Sequence, residues 1–183
     1  MDRQKWFLKV ATTMENKITL SAPELEDLDF LYELENNQKL WKYSQTRVPI
    51  SKTTLKAYLE NISKEPNLYA DQIRFIIKNK DRNIGCIDLF EIDNLNKKAG
   101  VGICVLETHR NKGYAKQALE QILTFSREHL MLNQIYAETL VDNIGSSSLF
   151  EACKFERVAE LKQWRQNQHG FQDVYLYQFL LSS

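Results

Sequence analysis

The stretch that begins at Val101 constrains this chain more than any other. Val101 to Leu106 is apolar and partly β-branched, as a strand is, and beyond a short polar turn the apolar positions switch to helical spacing at Ala115, Ala118, Leu119, Ile122 and Leu123. A tight loop, Arg110-Asn111-Lys112-Gly113-Tyr114-Ala115, joins the two. The first N–H groups of a helix have no partner within it, and the helix dipole places partial positive charge there. Gly113 can take backbone angles that other residues avoid and leaves room for a ligand to approach the main chain. Such a join favours a phosphate, although any strand-to-helix connection also needs a turn. No G-x-G-x-x-G follows the strand and no G-x-x-x-x-G-K-[ST] occurs, so neither a dinucleotide fold nor a P-loop is supported.

The chain is long and apolar enough for one domain with a substantial core, with 183 residues of which 43% are hydrophobic. Lys plus Arg and Asp plus Glu both total 24, which removes any broad attraction to nucleic acid or anionic membrane. Cys86, Cys104 and Cys153 lie in apolar surroundings without C-x-x-C spacing, so no metal site or disulfide framework is expected and a reducing cytoplasm fits. No run is long enough to span a bilayer, and residues 1–11 lack the apolar core of a signal peptide. Patterned sequence starts at Lys17, just after Met14. Residues 1–16 are therefore expected to be an extension, with Met14 as an alternative start, or else an extra helix; 17–183 is the domain.

Taken in order, Ile18 to Leu20 reads as a strand and residues 24–35 as an acidic amphipathic helix carrying Leu25, Leu28, Leu31 and Leu34. Residues 36–56 hold five cations, Lys39, Lys42, Arg47, Lys52 and Lys56, and no carboxylate. Ser51 caps a second helix to about Ser63. Strands follow at 72–78, 83–92 and 98–106, then the helix from Lys112 to about Leu130 and a strand at 134–140. The polar run Asp142-Asn143-Ile144-Gly145-Ser146 opens a short helix ending near Lys154, and strands at 156–166 and 171–181 finish the chain. This order predicts an α/β (α+β) domain with a mixed sheet.

Two motifs give the order a family. Arg110-x-x-Gly113-x-Ala115 resembles the Q/R-x-x-G-x-G/A pyrophosphate loop of the GNAT acyltransferases, and Asn143-x-x-Ser146-x-x-Leu149-Phe150-Glu151-x-x-x-Phe155 resembles their N-x-x-S-x-x-L-Y-E-K-x-G-F. The likeness runs over residues 17–181 and is nearest to the subgroup holding ribosomal-protein N-terminal and spermidine acetyltransferases. Ile84 to Ile92 and Gln172 to Tyr175 are similar to the spermidine enzymes. The resemblance implies a single-domain, mostly antiparallel central sheet flanked by helices, acetyl-CoA as cosubstrate, and acetyl transfer to a small-molecule or peptide amine, with homo-oligomers in scope. Ile103, Cys104 and Val105 would then offer backbone to the pantetheine arm, Arg110, Asn111, Lys112, Gly113, Tyr114 and Ala115 would hold the pyrophosphate, and Asn143 would bond the pantetheine or acceptor, or cap its helix.

Direct attack of the amine on the thioester, within a ternary complex, gains mainly from positioning. A carboxylate can take the amine's proton, and Asp88, Glu91 and Glu138 are candidates on strands expected to face the cleft. Two residues depart from the family pattern. Phe150 stands where many relatives have a proton-donating tyrosine, expected beside the thiol, and Lys154 replaces the glycine before Phe155. An alternative reading is accordingly a coenzyme A-binding module without acetyltransferase activity. The basic run at 36–56 would line the acceptor entrance by the family pattern, which predicts repulsion of polyamines and an acceptor with a neutral or anionic body.

Overall fold

The computed structural model describes residues 17–44, 48–64, 71–167 and 170–181. The expected extension at residues 1–16 lies outside them. Seven strands, Ile18–Ser21 (β1), Gln72–Asn79 (β2), Arg82–Asp93 (β3), Lys98–Val105 (β4), Gln134–Leu140 (β5), Glu156–Asn167 (β6) and Gly170–Leu180 (β7), form one sheet in the order β1-β2-β3-β4-β5-β7-β6. All neighbours run antiparallel except β4 and β5. The helices are Leu28–Glu35 (α1), Gln38–Trp41 (α2), Lys52–Lys64 (α3), Tyr114–Glu128 (α4) and Ile144–Ala152 (α5). The mixed, mostly antiparallel sheet flanked by helices is the one expected.

Alternation along the strands assigns each face of the sheet. Ile87 and Leu89 of β3, Val101 and Val105 of β4, and Ile135 and Ala137 of β5 point into a core completed by Leu119 and Ile122 of α4 and Phe150 of α5. On the other face Ile76 of β2 packs with Leu31 of α1 and Leu55 and Leu59 of α3. The two faces are therefore covered by different helices, α4 and α5 on one and α1 and α3 on the other. At roughly 1.5 to 3 kcal/mol for each fully buried aliphatic side chain, the larger cluster dominates the fold.

Several boundaries differ from the expected ones for local reasons. The first helix begins as a 3-10 turn, Leu25–Asp27, fixed by reciprocal bonds between Glu24 and Asp27. α4 starts at Tyr114 rather than Lys112, because Asn111 and Gly113 take φ of +59° and +78°. α5 ends in a Schellman arrangement, Phe155 N–H bonding Phe150 O at 3.0 Å and Lys154 N–H bonding Glu151 O at 2.9 Å. Lys154 adopts the left-handed φ of +65° that a glycine would normally supply, so the turn keeps its shape despite the substitution. α2 was not anticipated; Asn37 caps it by accepting from Lys39 N–H.

Candidate active site

β4 and β5 pair at only three positions, Lys98 with Gln134, Ala99 with Ile135 and Gly100 with Tyr136. Beyond Gly100 each strand keeps its outer partner, β4 with β3 and β5 with β7, and the inner edges separate. The result is a V-shaped opening through the sheet, and the inner edges hold main-chain donors and acceptors that need partners. A cleft of about 1340 Å³ passes through this V. Residues from both faces line it, among them Val101 to Val105 of β4, the turn before α4, the start of α5, and the chain on either side of α2.

At the α4 end a short loop joins β4 to the helix. Gly113 is the N-cap of α4 with no side chain to occupy the amides, and a Cβ placed on it would meet nothing within 4 Å. Asn111 and Gly113, both left-handed, turn the loop sharply into the helix. Arg110 braces it, its Nε donating to Val105 O at 3.0 Å. Asn143 lines the cleft while its Oδ1 caps α5 by accepting from Ser146 N–H at 3.2 Å.

On the α1 and α3 side the wall is acidic. Arg74 of β2 donates to both oxygens of Asp88 on β3, at 2.7 and 2.9 Å, and to Glu35 at the end of α1. Burial by itself would lower the Arg74 pKa, but the Asp88 hydrogen bond and the charges of Asp88 and Glu35 outweigh it, so the guanidinium stays charged. Glu138 of β5 accepts from the Trp164 indole at 3.3 Å and from Arg165 at 3.1 Å. Glu91 sits at φ of +50° in an irregular stretch of β3 and accepts a hydrogen bond from the Tyr136 phenol at the apex of the V. Burial and then the Glu91 bond raise the Tyr136 pKa, which keeps that phenol a donor at neutral pH.

Residues 17–156, most of the chain, match the family described as Acetyltransferase (GNAT) domain. The chain belongs to the GNAT acetyltransferases. It is 27% identical over 168 residues to spermidine N(1)-acetyltransferase of Vibrio cholerae serotype O1, covering 88% of this chain and 91% of that one. It is also 27% identical over 180 residues to the ribosomal-protein-serine acetyltransferase of Escherichia coli (strain K12), covering 96% and 97%. A crystal structure of the Vibrio cholerae spermidine N-acetyltransferase in complex with CoA and spermine superposes with a TM-score of 0.79 at 28% identity, covering 90% of this chain and 96% of that one. The chain is thus an N-acetyltransferase that uses acetyl-CoA and acts on an amine.

This GNAT cleft brings together most of the residues singled out in the sequence. Ile103, Cys104, Val105, Arg110, Asn111, Gly113, Tyr114, Ala115 and Asn143 line it, as do Asp88, Glu91 and Glu138. Lys112 instead points back, its Nζ bonding Thr108 O at 3.0 Å. Phe150 does not reach the cleft wall: the Schellman turn pairs it with Phe155, ring centroids 5.1 Å apart, and it stacks on Tyr177. Phe150 is 3% exposed, so the expected place beside a thiol gives way to core packing. Cys104 and its cross-strand partner Cys86 are both pushed up in pKa, chiefly by burial, which leaves them neutral and poor nucleophiles.

The segment 36–56 lines the cleft as expected, through Leu40, Trp41, Tyr43, Ser44, Val48 and Ile50, but its described lysines do not. Lys52 pairs with Asp29 at 2.7 Å, Lys56 with Glu60 at 3.9 Å, Lys42 lies over the Tyr43 ring, and Lys39 is exposed. None of these four is on the cleft wall, and Arg47 lies outside the described residues. The four described lysines therefore give the expected repulsion of polyamines no support at the cleft wall. Glu35, Arg74, Trp41 and Arg165 were missed in the sequence. They come from four separate elements and follow no spacing rule, so only the folded sheet brings them together.

Proposed function

We propose that acetyl-CoA reaches the V from the α4 side, its pyrophosphate on residues 110–115 and its pantetheine along Ile103, Cys104 and Val105. The acceptor enters from the α1 and α3 side and is a primary amine on a cationic body, of the polyamine class. The observation that carries this is charge: on the acceptor side Glu35, Asp71, Asp88, Glu91 and Glu138 line the cleft against Arg74 and Arg165, five carboxylates to two guanidiniums. A cleft of one sign gathers opposite charge. The spermidine acetyltransferase relative supports the same class. Self-association belongs to this reading, since the Vibrio cholerae spermidine N-acetyltransferase has a dodecameric structure. So does a cytoplasmic setting; among the described residues no helix is long and apolar enough to cross a membrane.

Glu91 is the base in this reading. Asp88 has both oxygens held by Arg74, and Glu138 has both held by Trp164 and Arg165, whereas the one bond described for Glu91 is that from Tyr136. Glu91 takes the ammonium proton, directly or through water, and main-chain N–H groups of β4 at the V stabilise the developing oxyanion. Glu91→Gln is expected to lower kcat by about a hundredfold, within the range typical of general-base loss, with the acetyl-CoA KM little changed. An undiminished kcat would remove Glu91 from this role.

The acceptor class is tested by comparing spermidine, an alanyl peptide and glucosamine at two salt concentrations. Spermidine is expected to give the highest kcat/KM, and its apparent KM should rise with salt as screening weakens the attraction. A neutral-bodied amine winning at both concentrations would overturn the reading.

A further inference from the structure

Asn36, just past α1, holds a distant residue in the way a neighbouring strand would. Its Nδ2 donates to Ile50 O at 2.9 Å and to Tyr32 O at 2.9 Å, while its Oδ1 accepts from Ile50 N–H at 2.9 Å. One side-chain amide thus satisfies both main-chain groups of a residue fourteen positions away and uses three of its four hydrogen-bonding sites. Between these two residues lie Leu40, Trp41, Tyr43, Ser44 and Val48, which form the acceptor-side lip of the cleft. The lip has a second tie to α1. Trp41 donates its indole N–H to Glu35 O at 2.7 Å, and the Glu35 carboxylate is the one that meets Arg74.

We propose that Asn36 is a positioning residue for the acceptor: by pinning Ile50 to the end of α1 it fixes the lip over the carboxylates that receive the amine. This rests on the reading that the amine enters from the α1 side. Residues 110–115 are built on β4 and α4, so the latch acts on acceptor binding and leaves coenzyme binding alone. Closing a loop costs entropy that grows slowly with its length, and a specific contact at its ends offsets that cost. Asn36 supplies that contact with hydrogen bonds whose geometry an apolar or acidic side chain of the same size cannot reproduce.

The test uses the full chain with Asn36→Leu and Asn36→Asp. Asp has the shape of Asn but sets an acceptor oxygen against two carbonyls, so a role in packing alone would leave it neutral. For each variant, KM for acetyl-CoA, KM for the amine and kcat are measured, together with hydrogen exchange at the Ile50 amide by NMR. The amine is whichever of spermidine, alanyl peptide and glucosamine the unmodified chain acetylates best. Both variants are expected to raise the amine KM by about tenfold, the factor that corresponds to losing one or two net hydrogen bonds. The acetyl-CoA KM should stay within about twofold on the same scale, and Ile50 exchange should accelerate. An unchanged amine KM in Asn36→Asp, or an acetyl-CoA KM that rises in parallel, overturns the proposal. If Asn36→Leu does not fold, the Asp variant decides by the same two constants. A neutral-bodied best amine would overturn the cationic-acceptor reading while leaving the Asn36 comparison intact.

Discussion

Replacing Gly113 by valine is expected to weaken coenzyme A binding by about a hundredfold or more while the chain stays folded. Two costs add. Gly113 sits at φ of +78°, where an L side chain costs about 1 to 2 kcal/mol and a β-branched one is a genuine outlier. Its Cβ position is open, with nothing within 4 Å, so the added methyl groups would project into the space an anion needs to reach the loop amides. Each charge-assisted hydrogen bond lost there is worth about 1.5 to 3 kcal/mol, and 1.4 kcal/mol is a factor of ten. Gly113→Asn, which tolerates the left-handed region, should lose less. Calorimetric titration with coenzyme A measures both, with circular dichroism as the control for folding. A valine variant that is folded and binds within threefold of the unmodified chain would remove the loop from the coenzyme site.

Arg74→Met should be the most destabilising single change at the cleft. It removes the cation that pairs with both Glu35 and Asp88, whose side chains are only 16% and 17% exposed, and leaves two partly buried carboxylates without it. Breaking a buried ion pair from one side costs roughly 3 to 5 kcal/mol. The lower end is expected here because the cleft admits water. For a chain of this size about 3 kcal/mol corresponds to a fall in Tm of roughly 6 to 12 °C. The uncompensated charge is the cause, so adding Glu35→Gln and Asp88→Asn to Arg74→Met should recover part of the loss. Denaturant titration of the single and triple variants gives the comparison. A single variant within about 1 kcal/mol of the unmodified chain would show that the three charges are already well solvated.

The elements themselves were legible because they are written in local periodicity. Gln134–Leu140 is recovered residue for residue, and the strand-to-helix joins at Gly113 and Asn143 are marked by residues whose backbone and capping preferences act over a single turn. The loop before α4 belongs to the same category, since it is one continuous segment. Misplaced residues had non-local causes. Phe150 lies in the motif where a tyrosine is usual, but its direction is set by the turn that brings Phe155 beneath it and by Tyr177 from the last strand. The lysines at 36–56 fall within one segment of the sequence, yet Lys52 and Lys56 pair with Asp29 and Glu60 rather than line the cleft.

The sequence by itself determined the order of strands and helices, the alternation that assigns each strand residue to a face, and the tight strand-to-helix turn at residues 110–115. Each depends on interactions within a few positions along the chain. Only the tertiary structure decided that β7 rather than β6 lies beside β5, and that the pairing of β4 with β5 stops at Gly100 and Tyr136, where the sheet opens. It also decided the charge on the α1 and α3 side of the cleft, because Glu35, Arg74, Asp88 and Glu138 come from α1, β2, β3 and β5. Charge in a cleft is a sum over side chains that meet in space, and a count along the chain does not contain that sum.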